Sequence, residues 1–376
     1  MTYPSVCMLS ASFVPTFGGT ERQCQLLSEW LVRAGVPVAV LTRRGKTGIK
    51  TPQFPFPVHR MGGGGLAYAL LGAGWIAVCG QQFGVLHAHQ ALSPALAAVF
   101  AKRLRPQHRV VVKIACSGDW SDFRLAQDRP LFQRRIALLR EVDRFVVLNQ
   151  ESAAELPVRG LGGVPTVLLP NGVDARRFKP AAPAARATLR TRLGFPPDEI
   201  VTLFVGRLER RKGLDILLAA WADVVRRPPA KRLLIAGPGE AAPWARMAQA
   251  HGVGDVVTFL GGRADVVDLY RAADLLVLPS RAEGCPNVVL EAMASGLPVI
   301  VTDVAGNREV VGEDGKTGWL VPSEHPAALA EAVATLTASS ALRREIAAAA
   351  RARILERFDI DRVGAQYLSL YQELLR

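Results

Sequence analysis

The sequence predicts an α/β protein built from two similar, doubly wound, Rossmann-like domains, and three observations carry that expectation. Short apolar runs alternate with helical patterns along the chain, which is how parallel sheets covered on both faces read in sequence. A length of 376 residues exceeds one typical core and suits two. Between Pro170 and Pro197 the alternation yields to a turn, Asn171-Gly172-Val173-Asp174, and then to Pro180, Pro183, Pro196 and Pro197 around a short Arg/Ala helix, so a linker is expected there.

In the first half, strands are expected at 6–11, 36–41, 85–89, 109–114 and 144–148, with helices at 20–34 and 94–104. Gly18 and Gly19 fall between the first strand and the first helix, where a doubly wound sheet places ligands; a plain tight turn reads equally well. The second half repeats the pattern, with strands at 200–205, 232–236, 256–260, 275–278, 299–302 and 319–321. Helices are expected at 214–225, 244–250, 264–272, 327–336, 342–357 and 363–375. The expected domains are residues 1–180 and 181–358, facing across a deep cleft, with a terminal helix in 359–376 that returns to the first domain.

Hydrophobic content of 49% and charged content of 21% are globular values and exclude a disordered chain. No basic segment precedes an N-terminal apolar run, so no signal peptide is read and a cytoplasmic location is expected. The five cysteines lack metal-ligand or redox spacing and read as small buried hydrophobes in a reducing compartment. The apolar stretch 66–79 is too short for a bilayer span and reads as a packed or interfacial helix.

Net charge is +13, and residues 1–180 hold 22 Lys and Arg against 10 Asp and Glu, so the excess lies almost wholly in the first half. An anionic partner is expected for that half, either a membrane surface, a phosphorylated acceptor or nucleic acid. Lys102, Arg103 and Arg105 close one helix there, and Arg134 and Arg135 lie on another. A basic rim beside the apolar 66–79 helix fits peripheral contact with an anionic membrane and a lipid-linked acceptor, whereas a merely solvated basic face is the plainer alternative.

The stretch 281–298 holds two carboxylates, Glu283 and Glu291, with seven residues between them. The strand 275–278 stops just before Glu283, and a short helix begins near Asn287, the expected N-cap, and ends near Gly296. Glu283 therefore belongs to the loop and Glu291 to the helix. The backbone N–H groups of Gly284, Asn287 and Val288 lie where a helix N-terminus cradles an anion. Alone, the pair also fits one capping and one surface carboxylate.

A second loop, Gly206-Arg207-Leu208-Glu209-Arg210-Arg211-Lys212-Gly213, follows the strand 200–205. Arg207 and Lys212 at a strand's carboxyl end suit a diphosphate whose charge grows as its bond to a sugar breaks, and two fixed cations there take the place of a metal ion. Taken by itself, the loop reads equally as a solvated basic turn. The sole Asp-x-Asp, Asp359-Ile360-Asp361, precedes the terminal helix, where Asp361 reads more simply as an N-cap, and no metal is expected.

Gly206-Arg207 with Lys212-Gly213, Gly237-Pro238-Gly239, the run from Glu283 to Pro298, and Asn171-Gly-Val-Asp174 with Phe178 together resemble the retaining glycosyltransferases of family 4, which have the GT-B fold. The resemblance spans nearly the full length and is denser in the second half. It implies a nucleotide-sugar donor, with Glu291 on the ribose, Glu283 on the donor sugar, Arg207 and Lys212 on the diphosphate, the backbone at Gly262-Arg263 on the base, and Gly19 approaching the phosphates. It also implies retention by same-face attack, with the leaving phosphate taking the acceptor proton, and transfer of a hexose-type sugar to a glycan or glycolipid such as lipopolysaccharide, exopolysaccharide or a lipid-linked saccharide.

Many relatives carry a histidine just after the strand that corresponds to 110–114, where this chain reads Lys113-Ile-Ala-Cys-Ser-Gly-Asp119. The local polar candidates on the acceptor side are Lys113, Ser117 and Asp119. His87 and His89 end an earlier strand; His87 reads as a core residue and His89 as the better candidate for the cleft. Two rival readings stand beside the transferase. A nucleotide-sugar epimerase would share the fold, and a nucleic-acid-binding protein would share the basic half. The latter calls for a recognition helix or a basic and aromatic platform, and neither is evident, so no nucleic acid is expected.

Overall fold

The computed structural model describes residues 4–15, 18–45, 52–128, 130–196, 199–229, 231–263 and 265–376. The expected helix start at Ala264 and the expected linker end at Pro197 lie outside the described residues. The chain divides into two units, Met1–Gly172 with Ile360–Arg376, and Val173–Asp359.

The first unit runs β1 (Val6–Ser10), α1 (Gly19–Arg33), β2 (Val38–Arg43), β3 (Val58–Met61), α2 (Leu66–Cys79), β4 (Val85–Ala88), α3 (Ser93–Leu104), β5 (Arg109–Lys113), α4 (Phe132–Leu138), β6 (Arg144–Val147), α5 (Gln150–Val158) and β7 (Thr166–Leu168). Among the described residues its parallel sheet has the order β3-β2-β1-β4-β5-β6-β7. β1 lies in the interior of the sheet with all five of its residues buried, and Met8 registers with Val40 on one side and His87 on the other. A strand buried on both faces reads as a near-continuous apolar run, here residues 6–9 before Ser10, which is why it was legible. β3 and β7 were not expected, and both lie at the edges of the sheet, where apolar runs shorten.

The second unit runs α6 (Pro183–Arg192), β8 (Ile200–Val205), α7 (Leu214–Val224), β9 (Lys231–Ala236), α8 (Ala242–Ala250), β10 (Val257–Gly261), α9 (Val266–Ala272), β11 (Leu275–Leu278), α10 (Asn287–Ala294), β12 (Val299–Thr302), α11 (Ala305–Val311), β13 (Trp319–Val321), α12 (Pro326–Ala338) and α13 (Ser340–Arg357). Its described strands follow the order β10-β9-β8-β11-β12-β13, all parallel.

Both expected boundaries move. Residues 173–180, assigned from sequence to the first domain, belong to the second unit. The Val173 N–H donates to the Phe358 carbonyl at 2.8 Å, and Val173 bridges Asp359 in parallel. The Phe178 ring packs against Tyr270 at 6.0 Å between centroids.

The last helix, α14 (Ile360–Leu374), is part of the first unit. Val363, Tyr367, Leu370 and Tyr371 recur at helical spacing and bury against α1 and the sheet. Burial of Val363 and Leu370 contributes about 1.5–3 kcal/mol each. Asp361 is not the N-cap: it is the second helical residue, and its carboxylate accepts the Trp30 indole N–H at 2.9 Å.

Among the described residues no helix is long and apolar enough to cross a membrane. The 66–79 stretch forms α2, with Tyr68, Ala69, Ala73 and Ile76 buried while Leu66, Leu70, Leu71 and Val78 are exposed. Cys79, expected to be buried, is exposed at the end of that helix, whereas Cys7, Cys24, Cys116 and Cys285 are buried.

Candidate active site at the strand ends

In the second unit the strand order reverses direction between β8 and β11, since the chain first adds β9 and β10 on one side and then β11 to β13 on the other. The loops that leave these two neighbouring strands therefore part, and the crevice outside their carboxyl ends is where open α/β sheets bind ligands. Arg207 and Lys212 follow β8, and Glu283 follows β11. Gly262 and Arg263 follow β10 on the same edge.

Gly213 lets the two loops close on each other. It lies at φ +68°, and a Cβ there would stand 1.9 Å from the Pro279 carbonyl oxygen. The contact continues through the Arg281 N–H, which donates to the Arg211 carbonyl at 2.8 Å. Arg281 then grips the start of α7, donating to both carboxylate oxygens of Asp215 at 2.9 Å.

This closure brings Lys212 Nζ to 2.5 Å from Glu283 Oε1, and the Ser280 hydroxyl donates to the same oxygen at 2.7 Å. Glu283 is 6% exposed. Burial alone would raise its pKa, but the charges of Lys212 and Arg211 and the two hydrogen bonds outweigh it and hold the carboxyl below its ordinary value. Glu283 is therefore an anion at neutral pH, with the Lys212 ammonium and the Ser280 hydroxyl both donating to Oε1.

Glu291 sits on α10 and accepts the Tyr270 hydroxyl on Oε2 at 3.0 Å. Burial, followed by the charge of Glu291 and this hydrogen bond, pushes the Tyr270 phenol well above its ordinary value, so it stays a donor. Asn287 is not the N-cap: Pro286 occupies that place, and its carbonyl accepts the Val289 N–H at 3.1 Å, making Asn287 the first helical residue and Val288 the second. Gly284 lies in the buried loop just before. Arg207 is half exposed and 3.3 Å from Glu209, and Arg263 pairs with Asp265 at 2.5 Å. Tyr270, Ser280 and Asp215 were missed by sequence reasoning, since a tyrosine, a serine and an aspartate carry no spacing signal of their own.

In the first unit Gly19 opens α1, as the second glycine of the pair expected at a ligand-bearing turn. The other four candidates do not form one cluster. Lys113 is buried and donates to Asn171 Oδ1 at 2.7 Å. Ser117 donates to Glu151 at 2.9 Å, while Asp119 is solvent-facing and 3.6 Å from Arg124.

His89 is as buried as His87, contrary to the contrast expected between them. Their rings stack at 4.4 Å, and His87 Nδ1 lies 2.7 Å from the Tyr371 hydroxyl. Burial and then the Lys113 charge lower His87 to about 3; burial, His87 and Lys113 lower His89 well below its ordinary value. Asp122, a residue the sequence did not single out, accepts the Ala91 N–H at 3.0 Å, and burial raises its carboxyl to about 6.

The two parallel-sheet α/β units have the GT-B architecture of glycosyltransferases. Residues 17–177, nearly all in the first unit, match the family described as Glycosyltransferase Family 4, and residues 199–339 of the second unit match Glycosyl transferases group 1. The chain belongs to glycosyltransferase family 4.

A D-inositol 3-phosphate glycosyltransferase of Streptomyces bingchenggensis is 37% identical over 248 residues, which cover 62% of this chain and 53% of that protein. The chain spans about half the length of the curated relatives it matches. A sucrose-phosphate synthase structure from Thermosynechococcus elongatus superposes with a TM-score of 0.82 at 25% identity, covering 98% of this chain and 99% of that one. The Anabaena protein HepE, solved in complex with UDP and glucose, superposes at 0.83 with 21% identity, covering 99% and 100%, and shares the fold.

Proposed function

We propose that the protein transfers a hexose-type sugar from a nucleoside diphosphate sugar to a glycan or glycolipid acceptor, with retention at the anomeric carbon and without a metal ion. The observation that carries this reading is the buried Lys212–Glu283 pair at the switch point, with Arg207 on the same loop and Glu291 on the next helix. In this reading Arg207 and Lys212 hold the diphosphate, Glu291 the ribose, Glu283 the donor sugar, and the backbone at Gly262 and Arg263 the base. The acceptor hydroxyl attacks the anomeric carbon on the face the phosphate leaves. The carbon–oxygen bond to phosphate breaks as the new one forms, and the acceptor proton passes to the departing phosphate oxygen. Cations fixed beside that oxygen stabilise charge that develops only as the bond breaks, so they lower the barrier more than they tighten ground-state binding.

The acceptor is assigned to the first unit on its charge. The exposed apolar face of α2 lies on a unit that is strongly basic, which supports a lipid-linked acceptor reached from an anionic membrane surface. Part of the expected basic rim is engaged, because Lys102 pairs with Asp143 and Arg103 with Glu141; Arg105 and Arg134 make no ion pair with a described residue.

A thermal-shift screen over UDP-, GDP- and ADP-sugars tests the donor class, since a ligand that binds the native state raises the melting temperature. Turnover of the stabilising donor is then followed with and without a chelator, and the anomeric configuration of the product is read by NMR. Stabilisation by one base, chelator-insensitive transfer and a retained anomer are expected. Epimerised donor with no transfer would overturn the reading in favour of an epimerase.

A further inference from the structure

Glu283 is held by more than the lysine beside it. The Asn307 side chain, in α11, donates to the Thr302 carbonyl at 2.8 Å and to the Thr302 hydroxyl at 3.3 Å. That hydroxyl donates in turn to the Ser280 carbonyl, and the Ser280 hydroxyl donates to Glu283 Oε1 at 2.7 Å. Ser280, Thr302 and Asn307 are at most 1% exposed, so water cannot replace any partner at low cost. The residue before Asn307 adds a second tie: a Cβ on Gly306 would stand 2.3 Å from the Glu283 carbonyl oxygen, so α11 presses directly on the backbone of the Glu283 loop.

A Lys–Glu pair alone does not fix a carboxylate's rotation, because an ammonium ion can turn about its axis and take either oxygen. The hydroxyl of Ser280 breaks that equivalence. It places a second donor on Oε1 and leaves Oε2, which accepts no hydrogen bond from a described residue, for another ligand. The direction of the Ser280 side chain depends on its backbone, whose carbonyl is pinned by Thr302, and the Thr302 hydroxyl is oriented by Asn307. We propose that Asn307, acting through Thr302 and Ser280, is a positioning residue that sets which oxygen of Glu283 meets the donor sugar. This inference rests on the reading of Glu283 as the donor-sugar ligand.

The test uses Asn307→Ala, Thr302→Val, Ser280→Ala and Ser280→Thr in the full chain, with two readouts. The first needs no substrate. In protein labelled with 13C at the glutamate carboxyl, the Glu283 resonance is identified by its loss in Glu283→Gln and titrated. Its midpoint rises in Ser280→Ala and in Asn307→Ala, and stays near the wild-type value in Ser280→Thr, which keeps a hydroxyl.

The second readout is turnover of the donor found by thermal shift. For Asn307→Ala and Thr302→Val, kcat falls about 10- to 100-fold with KM for the donor little changed, the range expected for a misplaced reacting group. In a Glu283→Gln background the Asn307→Ala change then has no further effect. An unchanged Glu283 midpoint in both Ser280→Ala and Asn307→Ala overturns the relay, as does equal loss of kcat in the presence and absence of the Glu283 carboxylate. Shifted midpoints in a protein that neither binds nor turns over any sugar nucleotide would uphold the relay and reject the donor reading. If Asn307→Ala does not fold, Thr302→Val, which cuts the link between Asn307 and Ser280, decides in its place: a raised Glu283 midpoint upholds the relay and an unchanged one overturns it.

Discussion

Lys212 and Glu283 are 71 residues apart in the chain and meet at 2.5 Å, with both side chains nearly sealed from solvent. Burying one charge without its partner costs far more than burying the pair yields. Lys212→Met therefore destabilises the second unit by about 3 kcal/mol and raises the Glu283 pKa. The sign follows from the depressed carboxyl: its contribution is present above the unfolded value and lost as pH falls through the lower folded value, so the wild type loses this stability only in acid. Urea denaturation from pH 7 to pH 3 checks both. Glu283→Gln keeps the shape, and it slows turnover far more than it weakens nucleotide binding; equal loss in both would count against the orienting role.

Tyr270→Phe removes the Tyr270 hydroxyl that donates to Glu291 while leaving the ring against Phe178. A hydrogen bond to a charged group is worth about 1.5 kcal/mol, so affinity for the nucleoside diphosphate drops about tenfold with kcat nearly constant. Calorimetric titration of UDP against both proteins measures the difference. An unchanged Kd removes Glu291 from the ribose.

Gly213→Ala forces a Cβ into the Pro279 carbonyl at a left-handed backbone position. The loops must separate, and a loss of more than about 2 kcal/mol is expected, together with weaker donor binding. Chemical denaturation that shows a neutral or stabilising change would mean the loops do not need this contact.

Acid acts on the first unit through its stacked histidines. Both are lowered from 6.5, His87 to about 3, so the unfolded chain takes up their protons first. Their contribution is whole above 6.5 and is lost as pH falls, at up to about 1.4 kcal/mol per pH unit for each histidine. Neither ring nitrogen of His89 has a hydrogen-bond partner among the described residues, so His89→Phe keeps the stack without breaking a bond. The variant should lose less stability than the wild type between pH 7 and pH 5. Identical slopes would show that His89 does not titrate in this way.

Leu70 and Leu71 are each more than half exposed on a helix that carries no charge from Leu66 to Cys79. Flotation with anionic liposomes at low salt recovers the wild type, and Leu70→Glu with Leu71→Glu reduces recovery several-fold without changing the melting temperature. Absence of binding at low salt removes the membrane reading.

The central strands were legible because a strand buried on both faces is apolar along most of its length, as β11 is throughout and β1 is up to Ser10. Arg207, Lys212 and Glu283 could be singled out from sequence because they lie in glycine-bearing loops at strand ends, and Glu291 because it follows in the next helix, though each alone had a plain structural reading. Edge strands such as β3 are half exposed and carry mixed residues, so nothing in their composition sets them apart. The place of Asn287 and Asp361 within their helices also escaped, because a capping residue type does not say whether a neighbouring carbonyl or a distant indole claims the position first.

What the amino-acid order settles is local: where the chain is apolar enough to form a strand, where glycine permits a turn, and which loops carry charge. Which of those charges touch is a long-range matter. Ser280, Thr302 and Asn307 have no periodicity and no motif that joins them to Glu283. They become one network because β11 and β12 lie side by side and α11 folds back over the loop between them. Nor does the sequence distinguish His87 from His89; burial on one face of the sheet under α14 makes both neutral core residues. The glycosyltransferase class was read from several motifs taken together, not from the spacing of two glutamates, and the state of each carboxylate depends on side chains that only the folded sheet brings within 3 Å.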